Sequence, residues 1–212
     1  MALKQKLNRM ISAAALCLAL APSQPASAGT YGSAELMSGH KSTTLDLKVG
    51  AELAPRVGLF LRNISTVDYK NKADYFGFGE LTYNVVDGLN ALVQAEVSPA
   101  SGIVPGAGAE YIAQVDNLSV YLAAVGTFAN TSSPQVELIA VAGYRSELTA
   151  GLKLVLNGET FTLVGLEGHI FSAQRIRAGI GIGQFEAGPA LNLTESNDGV
   201  SYDLGGSIKF NF

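Results

Sequence analysis

From Ser42 onward, apolar and polar residues alternate with a period of two, as strands with one apolar face do. In the last stretch Val200, Tyr202, Leu204, Ile208, Phe210 and Phe212 share one face, and Ser201, Asp203, Gly205, Ser207, Lys209 and Asn211 the other. Val57, Leu59 and Leu61 alternate with Arg56, Gly58 and Phe60. Leu148, Ala150, Leu152, Leu154 and Leu156 form another such face, and Ile176, Ala178, Ile180 and Ile182 a further one. Asp87-Gly88 and Asn157-Gly158 are hairpin signals, because these residue types tolerate positive φ. Pro55, Ser132-Ser133-Pro134 and Asn197-Asp198-Gly199 mark other breaks. The pattern predicts strands at 43–53, 56–64, 74–86, 90–98, 104–114, 118–128, 135–145, 148–156, 160–171, 174–182, 185–194 and 199–212. Ten strands result if the 174–194 region divides otherwise. Residues 29–41 remain open between a strand beginning near Tyr31 and a short plug.

The two faces of these strands differ sharply in charge. One face collects Asp46, Glu52, Glu80, Glu96, Glu110, Glu137, Glu167, Glu186 and Asp203, with Lys48, Arg56, Arg62, Arg145, Lys153, Arg175, Arg177 and Lys209. The other holds almost only Leu, Val, Ile, Ala, Gly, Tyr and Phe. Strands of this length suit a tilted crossing of a bilayer, which takes about 9–11 residues. A soluble barrel would turn its apolar face inward, but twelve strands enclose more space than side chains fill. The expected fold class is therefore all-β: a single closed antiparallel transmembrane β-barrel of about 12 strands over 42–212, its apolar face toward lipid and its charges in a wet lumen.

Composition sharpens this picture at the N-terminus. Lys4, Lys6 and Arg9 precede an apolar run from Met10 to Ala21, and Ala26-Ser27-Ala28 offers a small-x-small cleavage site. That is the layout of a secretory signal peptide over 1–28. Its removal leaves 11 of the 14 Lys and Arg residues against 18 Asp and Glu, a net of −7. No basic patch suggests nucleic acid. The single cysteine, Cys17, leaves with the signal, which excludes disulfides and thiol chemistry from the mature chain.

Tyr75, Phe128, Phe185 and Phe212 fall at one set of strand ends, and Tyr83, Tyr144 and Tyr202 toward the other, like two interfacial girdles. The final strand, Asp203-x-Gly205-x-x-Ile208-x-Phe210 with Phe212 as the last residue, resembles the assembly signal of bacterial outer-membrane β-barrel proteins. The resemblance implies outer-membrane lipid and the barrel-assembly machinery as partners, with both termini in the periplasm. On the strands written above, the longer connections, Ser65 to Ala73 and Ala129 to Gln135, then fall on the periplasmic side, the reverse of the usual arrangement.

The expected lumen lining is Arg62, Glu80, Glu96, Glu110, Glu137, Arg145, Lys153, Glu167, His169, Arg175 and Arg177. Acids and bases in near-equal number suit mutual salt bridges better than a filter of one sign. Arg175 and Arg177 form the one same-sign cluster. His169 shares a face with Glu167 and reads as a lumen hydrogen-bond partner, with Ser172 on the opposite face. His40 reads as a solvated residue ahead of the first strand. No catalytic constellation, metal-ligand spacing or cofactor motif emerges. The glycines of Ala178-Gly179-Ile180-Gly181-Ile182-Gly183 read as small strand residues, not a nucleotide loop. Three functions follow: a structural barrel or passive pore for small solutes, an outer-membrane barrel enzyme acting on lipid or envelope polymer, and a soluble exported barrel holding an apolar ligand.

Overall fold

The computed structural model describes residues 29–128 and 134–212. The segment read as a signal peptide lies outside them. Twelve antiparallel strands form one ring: β1 (Thr30–Gly39), β2 (Ser42–Ala54), β3 (Val57–Asp68), β4 (Ala73–Val86), β5 (Leu89–Ser98), β6 (Gly102–Val115), β7 (Leu118–Thr127), β8 (Gln135–Thr149), β9 (Leu152–Gly165), β10 (Gly168–Ile182), β11 (Phe185–Ser196) and β12 (Gly199–Asn211). Each strand pairs with its neighbours in sequence, and β1 closes the ring against β12.

The total of twelve agrees with the sequence pattern, but two local differences offset each other. Residues 30–39, left open above, form β1. The stretch written as strands 148–156, 160–171 and 174–182 is instead the two strands β9 and β10. Asn157-Gly158 turns nothing: Gly158 sits mid-strand, paired with Ala142 and Ile176. The turn falls at Leu166–Glu167, where Gly168 takes φ +111°, a conformation open to glycine.

These two corrections reorder the ends of the barrel. Call the end holding Thr30 and Asn211 the terminal end. Every connection there is two residues long, between β2 and β3, β4 and β5, β6 and β7, β8 and β9, and β10 and β11. The longer connections, which follow β3, β5 and β7, leave those strands at the far end. The reversed arrangement inferred from the sequence disappears once β1 is counted. The girdles regroup as well. Tyr75, Phe128 and Tyr202 lie toward the far end, and Tyr83, Tyr111, Tyr144, Phe185 and Phe212 toward the terminal end. Phe185 and Phe212 exchange with Tyr202 because one strand too many had been written before them, which inverts the direction of all that follow.

The ring closes by a register that runs from Ser33 opposite Asn211 to Gly39 opposite Gly205. Gly32 and Phe212 exchange backbone hydrogen bonds of 2.8 and 3.0 Å beyond it. The Phe212 ring lies over Gly32, where no side chain would fit beneath it. On the outer face Phe185, Phe210 and Phe212 stack in series, with ring centroids 5.0 and 6.0 Å apart. Asp203 serves the other end of the seam, accepting from the Lys41 amide at 2.8 Å and the Ser42 hydroxyl at 2.6 Å. Gly39 leaves the room that this carboxylate occupies.

Leu61, Leu81, Val93, Leu122, Leu138, Ile176 and Leu204 are all exposed on the outer surface. The charges point the other way: Asp46, Glu80, Glu110 and Glu137 are buried. Such an inverted protein has its apolar surface satisfied by lipid. Leu122 lies near the middle of β7, where a charge would meet the hydrocarbon midplane. Leu122→Arg should lower stability in lipid vesicles by about 2–4 kcal/mol, read from reversible urea unfolding. An unchanged midpoint would place that face in water.

Candidate functional site

Twelve strands spaced about 4.8 Å apart and tilted by about 40° would close a round ring roughly 24 Å across. The interior is nevertheless bridged from wall to wall. Arg62 on β3 grips Asp46 of adjacent β2 through Nε at 3.0 Å and Nη2 at 2.7 Å. It also donates to Glu159 of β9, through Nη1 at 2.6 Å and Nη2 at 2.9 Å. Strands β3 and β9 stand six apart in a ring of twelve, on opposite walls. An arginine and a glutamate meeting head to head span only about 15 Å between backbones. The ring is therefore narrowed along this line into an oval.

Two more cations join the bridge. Arg175 on β10 donates to Asp46 at 2.8 Å. The Lys48 ammonium stands 3.6 Å from Asp46 and 3.5 Å from Glu159. Three cations share two acids, which leaves one positive charge uncompensated within the cluster. Arg62 is almost closed off, with 8% of its side chain exposed, whereas Lys48 keeps 32% open. Toward the terminal end Arg177 pairs with Glu35 at 2.8 Å and also donates to Asn192. Glu186 accepts from Arg145 at 2.9 Å and lies 3.6 Å from Lys209.

The wall from β4 to β8 is acidic. Glu80, Glu96, Glu110 and Glu137 face inward there, and among the described residues no Lys or Arg pairs with them. They stand beside one another and accept from amides. Glu80 meets Glu110, and Glu96 meets Glu137. Gln94 donates to Glu96 at 3.2 Å and to Glu137 at 2.8 Å, and Asn90 donates to Glu110 at 2.5 Å. Charge is thus separated across the lumen: the compensated pairs on one side, acids without cations on the other.

Aromatic rings form the third component. Phe60, Phe78, Phe76, Phe161 and Phe171 follow one another with centroid separations of 5.7, 6.0, 6.4 and 6.3 Å. All five line the main cavity, which measures about 900 Å³. Its lining runs from Lys41, Asp74 and Tyr202 at the far end to Tyr31, Glu52 and Gly58 at the terminal end. Residues from both ends of the barrel therefore border this one cavity, together with both residues of the bridge.

The residues expected in the lumen distribute unevenly over this geometry. Arg62, Glu80, Glu96, Glu110 and Arg175 line the main cavity, and Glu137 is buried behind Gln94. Arg177 lines a smaller recess of about 60 Å³ with Glu35. Arg145 and Lys153 sit toward the terminal mouth. Glu167 belongs to the turn before β10, outside the lining. His169 departs from expectation. A bulge between His169 and Phe171 shifts the register, so His169 sits opposite Val164, on the side of Ser172. Its Nε2 lies 2.8 Å from the Ser172 hydroxyl, which also contacts Thr162 at 3.2 Å. His40 packs its ring 5.2 Å from that of Tyr202 and approaches Asp203 at 3.1 Å, so it is anchored at the seam. Among the described residues no three His, Cys, Asp or Glu side chains gather as a metal site.

Sequence reasoning missed Glu159, Glu35 and the phenylalanine run. Glu159 had been placed in a turn after Asn157-Gly158, and Glu35 in the unassigned segment. The five phenylalanines were visible by parity alone, since each shares its strand face with a charged residue: Phe60 with Arg62, Phe76 and Phe78 with Glu80, Phe161 with Glu159, and Phe171 with Arg175.

A closed antiparallel ring with an apolar exterior and a charged, hollow interior is the fold of bacterial outer-membrane β-barrels, and this chain has it. Solved structures share it at 11% sequence identity. A KdgM porin, solved in complex with oligogalacturonate, matches over 86% of this chain and 99% of its own, with a TM-score of 0.50. An outer-membrane channel from Pseudomonas putida F1 matches over 90% and 97%, at 0.47. LpxR from Salmonella typhimurium matches over 86% and 99%, at 0.46. No protein-family model matches the sequence, and no curated protein matches it.

The bridge sets an ordering of charge removals. Arg62→Gln leaves Asp46 and Glu159 facing each other with weaker compensation. A dry buried pair broken in this way costs about 3–5 kcal/mol, and lumen water should reduce that to about 2–3 kcal/mol. Arg145→Gln removes a half-exposed partner of Glu186 and should cost under about 1 kcal/mol. Urea unfolding in detergent or vesicles checks the ordering; equal losses would mean that the bridge carries no special weight.

Proposed function

We propose that this chain is an outer-membrane barrel that lets small solutes cross passively. The observation that carries the reading is the cavity lined from mouth to mouth beside the Arg62 bridge. The far end, with the longer connections, faces outward, and the terminal end faces the periplasm. Arg62 and Glu159 act as a crossbar that limits the width of the passage. Planar-bilayer recording of the mature barrel should give small, steady conductance steps. Replacing both crossbar residues by Ser should raise the step size at least twofold. Absence of steps in both proteins would overturn the reading.

A second reading rests on one specific contact. The His169–Ser172 pair, at 2.8 Å, joins a base to a hydroxyl nucleophile near the far rim, and Glu195 stands opposite Ser172 on β11. This arrangement supports a barrel enzyme acting on lipid esters at the outer leaflet. Labelling of the folded protein by a fluorophosphonate, lost in Ser172→Ala, would favour it. No labelling above that of the Ala variant would remove it.

A further inference from the structure

We infer that the lumen holds a selective site for small aromatic monoanions, benzoate being the simplest representative. The inference rests on the passage reading above and adds the class of solute. A water-filled pore has no need of apolar rings on its inward face, since each wetted ring forgoes burial. Five of the chain's nine phenylalanines nevertheless line the cavity, in a series that crosses from β3 and β4 to β9 and β10. Offset and tilted rings at these separations are what a further aromatic ring joins favourably.

The run also passes beside the charge cluster. Phe78 is the direct register partner of Arg62, and Phe161 lies two residues from Glu159, the partner of Arg175. Two residues along a strand cover about 7 Å, close to the distance from the far edge of a benzene ring to its carboxylate. With its ring against Phe78 and Phe161, a benzoate-like solute brings its carboxylate to Lys48 and Arg175. Both line the cavity and are more open than Arg62, and they belong to the group with one uncompensated positive charge. Two groups already in place would engage it, an ammonium and a guanidinium. The acids of β4 to β8 limit the site to one negative charge, because a second carboxylate on the solute would point toward them.

The test uses the mature barrel folded in detergent, titrated calorimetrically with benzoate, acetate and benzylamine, and then the same protein in liposomes. Benzoate should bind at least tenfold more tightly than either acetate or benzylamine. Combining Phe78→Ala with Phe161→Ala should weaken benzoate at least fivefold and leave acetate unchanged. Equal binding of benzoate and acetate, tighter binding of benzylamine, or no effect of the double variant would overturn the inference. Liposomes keep the two ideas apart. Glycerol entry with no benzoate preference overturns the solute class and leaves the passage standing. Benzoate binding in detergent with no entry of any solute supports the site and overturns the passage.

Discussion

Five strands lie between those of Arg62 and Glu159 whichever way the ring is followed, and their side chains still meet at 2.6 Å. That contact organises the interior. A round ring of twelve strands would hold its walls too far apart for it, so the oval section and the crossbar imply one another. Once the bridge is in place, Asp46 and Glu159 are neutralised, and Arg175 and Lys48 have partners. Removing Arg62 would leave two buried carboxylates without their main counter-charge, a far larger disturbance than losing a pair at the mouth.

The outside of the barrel follows a simpler rule. Every backbone group in hydrocarbon needs a partner within the protein, which a closed ring supplies and an open sheet does not. The seam between β1 and β12 is therefore as important as any interior contact. Its ends are secured by different devices: backbone exchange between Gly32 and Phe212 at one, and the Asp203 carboxylate gathering the β1–β2 turn at the other. The residues Asp203, Gly205, Ile208, Phe210 and Phe212, which resemble an assembly signal, thus have concrete work in the folded barrel. Asp203 and Gly205 lie at the far end of the seam, and the two phenylalanines cover its terminal end.

What the sequence made legible follows from what is local. Alternation of period two shows in each strand by itself, so the apolar exterior and the charged interior could be read directly, whereas the total of twelve agreed because one strand left open and one strand too many offset each other. Strand ends were less legible where local chemistry misled. Asn157-Gly158 has hairpin composition but continues as strand because both neighbours, β8 and β10, pair through it. Thr30–Gly39 has small residues on both faces and shows its strand character only against β2 and β12. These two slips concealed Glu35 and Glu159 and inverted the girdle positions of Phe185, Phe212 and Tyr202. His169 was misplaced for a related reason, since a bulge changes the parity on which face assignment depends. The bridge itself joins residues 97 positions apart, and no local pattern encodes which acid an inward arginine will reach.

The central claim is that Arg62 and Glu159 interact across the lumen, and a double-mutant cycle measures it most directly. Stabilities of the parent, Arg62→Gln, Glu159→Gln and the double variant should yield a coupling of about 2 kcal/mol, within the range of residues that share one ion-pair network. A coupling within about 0.3 kcal/mol of zero would mean that the two walls are independent, and the account of an oval, barred interior would be wrong.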